Sequence, residues 1–461
     1  MLPASTDVLV LGAGLAGLRA ALSCIQSAPA LTVTVISLWP GPAGSSFANQ
    51  NDALGIHTCL NDDEREAYVS EALSLNRAAW ISPQLLTLQA EESEARMQDL
   101  LALGLPFAKD STGALTPHSS CFSPGSRRAY IFTPLAKAHD CFTARLKSLG
   151  CRFAYHWLPA AILGNPVNGA FLVPATGGKP AVVSAKAIVV ALGGPGRLFK
   201  HSMAGPGVPG YGQGLLARAG AEMKNLGYLQ YMWGTVPGKN FWQPAAMAAG
   251  GYSLVHPDGR VVRPQDQISG FADLCAQRSG HCPYGYGLDD SALDLFLAKG
   301  LDQEAAVKLH TPGDGEMLVA PMAHASNGGA MIDVNAETSV PGLLACGECA
   351  TGMHGSNRIG GAMVLATQVF GHRAGERAAW IANNSSAISV RHDGEVHTDE
   401  AEREEGLAWL AQGLSRYAVL GGRQRHEFFT AELRQRFVMA RDWQLSLCLE
   451  TGLGIASSLP C

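Results

Sequence analysis

The sequence predicts an α/β fold: a split Rossmann-like dinucleotide-binding domain, with an α+β insertion between its halves and a short helical region after them. Two observations carry the nucleotide fold. The stretch DVLVLGAGLAGLRAA at 7–21 reads as a buried strand, a tight turn and a helix. A second Gly-rich segment, TSVPGLLACGE at 338–348, returns late in the chain as a strand that runs into a turn. A third observation closes the architecture: the polar run beginning near 383 gives way to helical periodicity over 402–447.

In the first element, Gly12, Gly14 and Gly17 form G-x-G-x-x-G. The first glycine allows the sharp turn and the second lets backbone approach a pyrophosphate. The third lets the helix pack on the strand, so that Leu15 and Ala16 present helix N-terminal N–H groups to the phosphates. A second apolar strand is expected over 31–37, ending at Ser37, where an acid often meets the adenosine ribose. Ser37 can donate and accept a hydrogen bond there without discriminating by charge. The run 187–194 reads as another edge of the same sheet, with Gly193 in its closing Gly-Gly pair. A dinucleotide fold that starts at residue 7 and returns near the end of a long chain favours FAD over NAD. The strand ending at Glu348 can then set a carboxylate against ribityl hydroxyls.

Composition narrows the class. The chain has 461 residues, 47% hydrophobic and 16% charged, which is enough for two or three buried cores. A net charge of -5 without a basic stripe argues against nucleic acid. The start lacks a basic region, and no apolar run reaches the roughly 20 residues that span a bilayer. A cytoplasmic protein without a signal peptide or membrane span is expected. The 11 cysteines are an odd number without framework spacing, so they read as reduced, mostly buried thiols. With no four-Cys run, the chain itself is not expected to hold an iron-sulfur centre.

Several further motifs carry a resemblance. SLWPGPAGSSFANQ at 37–50 follows a second strand and matches a Gly-Ser-Thr-x-x-Ala-Gln loop. GQGLLARAGA at 212–221 is similar to a G-D-G helix, with Gln213 in place of Asp. HASNGG at 324–329 resembles H-x-T-M-G-G, and HGSNRIGG at 354–361 resembles H-G-A-N-R-L-G-G. The chain thus resembles the flavoprotein family of succinate dehydrogenase, fumarate reductase and L-aspartate oxidase over most of residues 5–380, as a divergent member. The L-aspartate oxidase pattern is the nearer one around 37–50.

The resemblance implies an FAD-dependent oxidoreductase that transfers a hydride between flavin N5 and a carboxylate-bearing small molecule. Gly44, Ser45, Ser46 and Gln50 fall on the loop that wraps the flavin. That loop offers no His, which implies non-covalent FAD. Gln213, Glu348, His354, Met363 and Val364 complete the implied cofactor contacts, with His354 in a structural turn. Arg358 and His324 fall on substrate-binding positions of the family. A dianion needs fixed donors in a water-poor site, and Arg offers a planar fork that matches a carboxylate.

Other positions depart from the pattern. Met232 stands where the family has a substrate His, and Gln265 where it has a proton-relay Arg, with Arg260, Arg263 and Arg278 nearby. Cys121 stands where L-aspartate oxidases carry a Glu, followed by the paired Arg127 and Arg128, which face either substrate or solvent. These losses lower the positive charge expected in the pocket. They argue against standard fumarate, succinate or aspartate chemistry and for a substrate with one carboxylate and a less polar remainder. The alternative is a catalytically degenerate flavoprotein acting as a subunit or electron-transfer partner.

The implied domains are FAD-binding over 1–230 and 324–385, capping over 231–323, and a linker with a reduced helical region over 386–461. In the last, Leu407, Leu410 and Leu414 form one apolar stripe, and Phe428, Leu433 and Phe437 another. Cys346 and Cys349 have redox spacing, but the strand-to-turn position is already accounted for by the flavin motif. No metal is expected from Cys275, His281 and Cys282, which lack a second pair at zinc spacing, and Cys461 is read as incidental.

Overall fold

A computed structural model describes residues 2–459 apart from 387–389, 391, 393, 421 and 422; Cys461 lies outside the described residues. The main sheet has seven strands. Five run parallel, in the order Arg152–Tyr155, Val33–Ser37, Ser5–Leu11, Ala181–Val190, Leu343–Ala345. Val8 pairs with both Val33 and Ala187, so the first strand is interior, and its residues Val8–Leu11 are wholly buried. Continuous apolar runs suit parallel strands covered on both faces.

The strand around 187–190 is not at an edge. Ala181–Val190 is ten residues long and pairs with Ser5–Leu11 on one side. On the other side its first half takes the antiparallel strand Gly169–Pro174, and its last residues take Leu343–Ala345. Its length lets one strand serve two partners in succession, which local hydrophobicity cannot reveal. Trp157–Leu163 extends the antiparallel arm.

Helix Leu15–Ser27 packs along Ala362–Asn384, and both cover the sheet. Close approach depends on glycine here. A Cβ at Gly17 would stand 2.0 Å from the Gly12 carbonyl oxygen, and one at Gly375 2.2 Å from that of Ala20.

Between the two pieces of the main sheet, the chain builds a five-stranded antiparallel sheet. Its order is Leu229–Thr235, Gly315–Ser326, Val307–Thr311, Ser253–Val255, Val261–Val262. Helices Phe271–Arg278 and Ser291–Ala298 lie with it over a separate core that includes Trp233, Leu254, Leu293, Phe296 and Val319.

Beyond it, Glu400–Gly413, Arg423–Met439 and Trp443–Ser457 form the C-terminal helices. Leu410, Leu414 and Leu433 are buried as the periodicity implies. Phe428 is not: it is 73% exposed, and Phe429 takes the core position beside Trp409 and Tyr417. One residue of helix is about 100° of rotation, enough to exchange core for solvent.

Candidate functional site

One elongated cavity of about 490 Å³ runs between the main sheet and the antiparallel sheet. At one end its wall is Gly12, Gly14, Leu15 and Ala16 with Ile36–Trp39; its middle is formed by 43–50, Gly193, Gly194 and Glu348. At the other end stand Cys121, Gln230, Met232, Cys282, His324 and Arg358. Residues 1–50 and 346–367 meet here because the first and last parallel strands share the strand at 181–190.

The nucleotide end follows from backbone. Helix Leu15–Ser27 starts without a side-chain cap and with no acid in its first turn. The N–H groups that follow Leu15 are therefore available to an anion. The Leu15 N–H donates to Ser46 Oγ at 3.2 Å, which ties the 44–50 loop to the helix start. Ser37 lies on the wall, its hydroxyl donating to the Trp39 carbonyl at 2.8 Å. Gly44, Ser45, Ser46, Gln50, Gly193, Met363 and Val364 also line the cavity.

In the middle, Ser326 N–H donates to Glu348 Oε1 at 2.8 Å. Burial raises the Glu348 pKa, while the bond from Ser326 and the Arg358 charge oppose it. A Cβ at Gly194 would fall 2.5 Å from Glu348 Oε1, so the carboxylate rests directly on bare backbone. An uncapped helix start, a bare glycine wall and one fixed carboxylate fit the pyrophosphate and ribityl parts of FAD.

At the far end Arg358 is 7% exposed. It donates from Nη2 to Gln230 Oε1 at 2.5 Å and from Nη1 to the Ile359 carbonyl at 3.2 Å, while Gln230 Nε2 donates to the Arg358 carbonyl at 3.0 Å. Its Nε is buried without a partner. A guanidinium carries five N–H groups, so the cation keeps donors for a ligand. Burial, then the Arg358 charge, pushes His324 down to about 4, so it is neutral at pH 7. Among the described residues, the charged side chains on the wall are Arg197 and Arg358 against Glu348. Met203, Met232 and Met322 form an apolar cluster touching Cys282.

Several expected site residues stand elsewhere. Gln265 is exposed on a short 3-10 turn, off the cavity, and so does not fill the relay position; Arg263 beside it is exposed too. Arg260 is exposed and pairs with Asp258. Arg278 is wholly buried, paired with Asp294 at 3.1 Å and donating to the Cys282 carbonyl at 2.9 Å, one layer behind the wall. Arg127 is exposed and donates to the Pro117 carbonyl at 3.0 Å. Arg128 is buried against Glu71 at 2.5 Å and the Glu64 carbonyl, so it holds a helix rather than a ligand, while Arg127 faces solvent.

Gln213 is not on the cavity wall and donates to the Gly328 carbonyl at 2.7 Å. His354 lies off the wall, its Nε2 buried without a partner, and burial holds its pKa well below the usual value. Gly17 serves helix packing, as noted above. Cys346 and Cys349 are wholly buried, and burial pushes the Cys349 thiol up to about 12, which suits a wall and not a thiol switch. No group of three metal-ligating side chains occurs among the described residues.

Sequence reasoning passed over Gln230 and Cys282 as site residues. Gln230 was legible: it lies two residues before Met232 on one strand, hence on the same face. Cys282 was not, because its neighbours at the wall come from distant segments.

Comparison with known proteins agrees with this geometry. The FAD binding domain family matches residues 7–364. The chain is 27% identical over 427 residues to the 8-methylmenaquinol:fumarate reductase flavoprotein subunit of Wolinella succinogenes, covering 84% of this chain and 67% of that one. It is 27% identical over 401 residues to the L-aspartate oxidase of Caulobacter vibrioides, covering 80% and 76%. In fold it is similar to the Sdh1 complex of Mycobacterium smegmatis in the apo form, with TM-score 0.73, 22% identity and coverage of 98% and 86%. No helix among the described residues is long and apolar enough to cross a membrane.

Proposed function

The chain belongs to the FAD binding domain family, as a distant homologue of the fumarate reductase and L-aspartate oxidase flavoproteins, and on that premise we propose an oxidoreductase acting on a small molecule with one carboxylate and an apolar remainder. FAD, held without a covalent link by Gly12, Gly14, Leu15, Ser46, Gly193 and Glu348, supplies two-electron hydride chemistry when bound. Arg358 binds the substrate carboxylate through its uncommitted N–H groups. Gln230 orients Arg358 from both ends of the amide. His324, neutral, contributes a hydrogen bond and not a charge. Met203 and Met232 on the wall, backed by Met322, exclude water and receive the apolar part of the substrate.

The observation that carries this reading is Arg358: a buried cation with a partnerless Nε on a wall that also carries Met203 and Met232, while the other cation there, Arg197, is exposed and donates to the Gly205 carbonyl at 3.3 Å. A dicarboxylate would leave its second charge beside thioether and thiol groups, and a buried unpaired charge costs several kcal/mol. The test is anaerobic: reduced holoprotein is mixed with 2-enoic acids such as crotonate or cinnamate and with fumarate, and flavin reoxidation is followed. The proposal expects the monocarboxylates to reoxidise the flavin faster than fumarate; the reverse order would overturn it.

A second reading, a flavoprotein subunit without its own turnover, is favoured by exposed apolar residues on the helix Arg423–Met439. There Phe428, Val438 and Met439 are 73%, 82% and 68% exposed. In that case no acid in the screen reoxidises the flavin.

A further inference from the structure

Ten free cysteines are described, and most are closed off. Cys24, Cys59, Cys151, Cys275, Cys346, Cys349 and Cys448 are buried, and burial raises the pKa of each. Cys141 is half-buried and likewise raised. Cys121 and Cys282 differ. Both are half-buried, both line the cavity at the Arg358 end, and each thiol is near enough to shift the acidity of the other.

The chain fixes this meeting on several sides. Phe122 N–H donates to the Gly280 carbonyl at 3.3 Å, and the Phe122 and His281 rings stack at 4.2 Å, so the residues next to each cysteine are locked together. Gly360 N–H donates to the Cys121 carbonyl at 3.0 Å, binding that turn to the Arg358 segment. His281 is held by Asp290 at 2.6 Å and by the Pro283 carbonyl. Gln243 Nε2 donates to Cys282 Sγ at 3.1 Å. None of these contacts is needed to hold a dinucleotide.

The electrostatics are unequal. The neighbouring Cys282 lowers the Cys121 thiol most, against burial, with further help from Arg358 and His281. The same proximity raises Cys282. A thiolate beside a thiol, at a cation and open to a cavity, is the arrangement in which dithiols exchange electrons.

We propose that Cys121 and Cys282 form a redox-active dithiol/disulfide couple at the substrate end of the FAD cavity. Closing the Cys121–Cys282 S–S bond breaks two S–H bonds and releases two electrons and two protons. FAD, when bound in this cavity, would supply the acceptor for both electrons and both protons. A small dithiol then reopens the bond by thiol–disulfide exchange, being oxidised in turn.

The test counts electrons on the FAD-loaded protein under anaerobic conditions. Holoprotein equilibrated with oxidised glutathione and freed of it is titrated with dithionite and followed by flavin absorbance. The couple predicts about four electrons per flavin, two for FAD and two for the disulfide, falling to about two in C121S and in C282S. In parallel, alkylation and peptide mass analysis of the oxidised wild type should find Cys121 linked to Cys282, with both alkylated only after dithiothreitol. A wild-type count of about two electrons, with both thiols freely alkylated after glutathione treatment, would overturn the proposal. Should a serine variant lose its fold, the wild-type count and the alkylation pattern still decide.

Discussion

Replacing Arg358 with Gln is the most direct probe of the substrate end. The side chain has five N–H groups, and hydrogen bonds to Gln230 and Ile359 occupy two of them. Two of the remaining donors match the two oxygens of a carboxylate. Charge-assisted hydrogen bonds contribute about 1.5–3 kcal/mol each, so the bound carboxylate gains about 3–6 kcal/mol. A glutamine amide restores one weaker bond, which leaves a loss of about 2–4 kcal/mol, or roughly 30- to 1000-fold in affinity.

The assay is titration of the holoprotein with crotonate, read from the perturbation of the flavin absorption band. Arg358→Lys keeps the charge and loses the fork, so it should fall between wild type and Arg358→Gln. The absorbance ratio of flavin to protein should stay unchanged in both variants, since Arg358 is argued to hold substrate and not FAD. If Arg358→Gln bound crotonate within threefold of wild type, the assignment of Arg358 as the carboxylate-binding group would fail.

Further outcomes can be checked separately. Met232→His would return a hydrogen-bonding group to a position that is 8% exposed, and it should narrow the gap between fumarate and crotonate in the reoxidation assay by about tenfold. Gly12→Ala meets both a positive φ of 114° and the Ala191 carbonyl oxygen 2.2 Å from the new Cβ; it should destabilise the protein by about 3 kcal/mol or more, read by urea unfolding. Asp294→Ala leaves the wholly buried Arg278 unpaired and also removes the acceptor of Trp233 Nε1 at 2.8 Å; a loss of about 3–5 kcal/mol is expected in the same measurement. His57 is wholly buried against the Tyr68 ring with no side-chain hydrogen bond to its ring nitrogens, and burial pushes it down to about 3 against 6.5 for a free imidazole. Its neutral form is favoured in the fold, so stability is full above pH 6.5 and falls between pH 6.5 and 3 as the unfolded chain alone takes the proton. His57→Gln should flatten that acid slope, and an unchanged slope would refute the assignment.

The nucleotide half of the cavity was legible in the sequence because its chemistry is local. Gly12, Gly14 and Gly17 act within one turn of chain, so spacing announces them, whereas Gly44, Ser45 and Ser46 were named through the resemblance of the 37–50 loop to the family's. Arg358 was legible through a short motif whose glycines and arginine lie within eight residues. Other placements depended on what stands across from each residue. Gln213 and His354 lie in recognisable motifs, but neither is among the residues lining the cavity. Arg128 looked like half of a pair and is instead a buried partner of Glu71. Phe428 and Phe429 are adjacent, and only the rotation of their helix against Trp409 and Tyr417 chose between them.

Sequence by itself determined the α/β class, the FAD end of the site and the cation that closes its far end. Tertiary structure alone decided that Ala181–Val190 is the shared central strand, that Gln265 is outside the site, and that Gln230 steers Arg358. It also decided that Cys121 and Cys282 face each other. The physical reason is the range of the interactions. Turn geometry and strand burial are set by residues a few positions apart, whereas the meeting of two thiols 161 residues apart is set by the backbone bond from Phe122 to Gly280 and a ring stack.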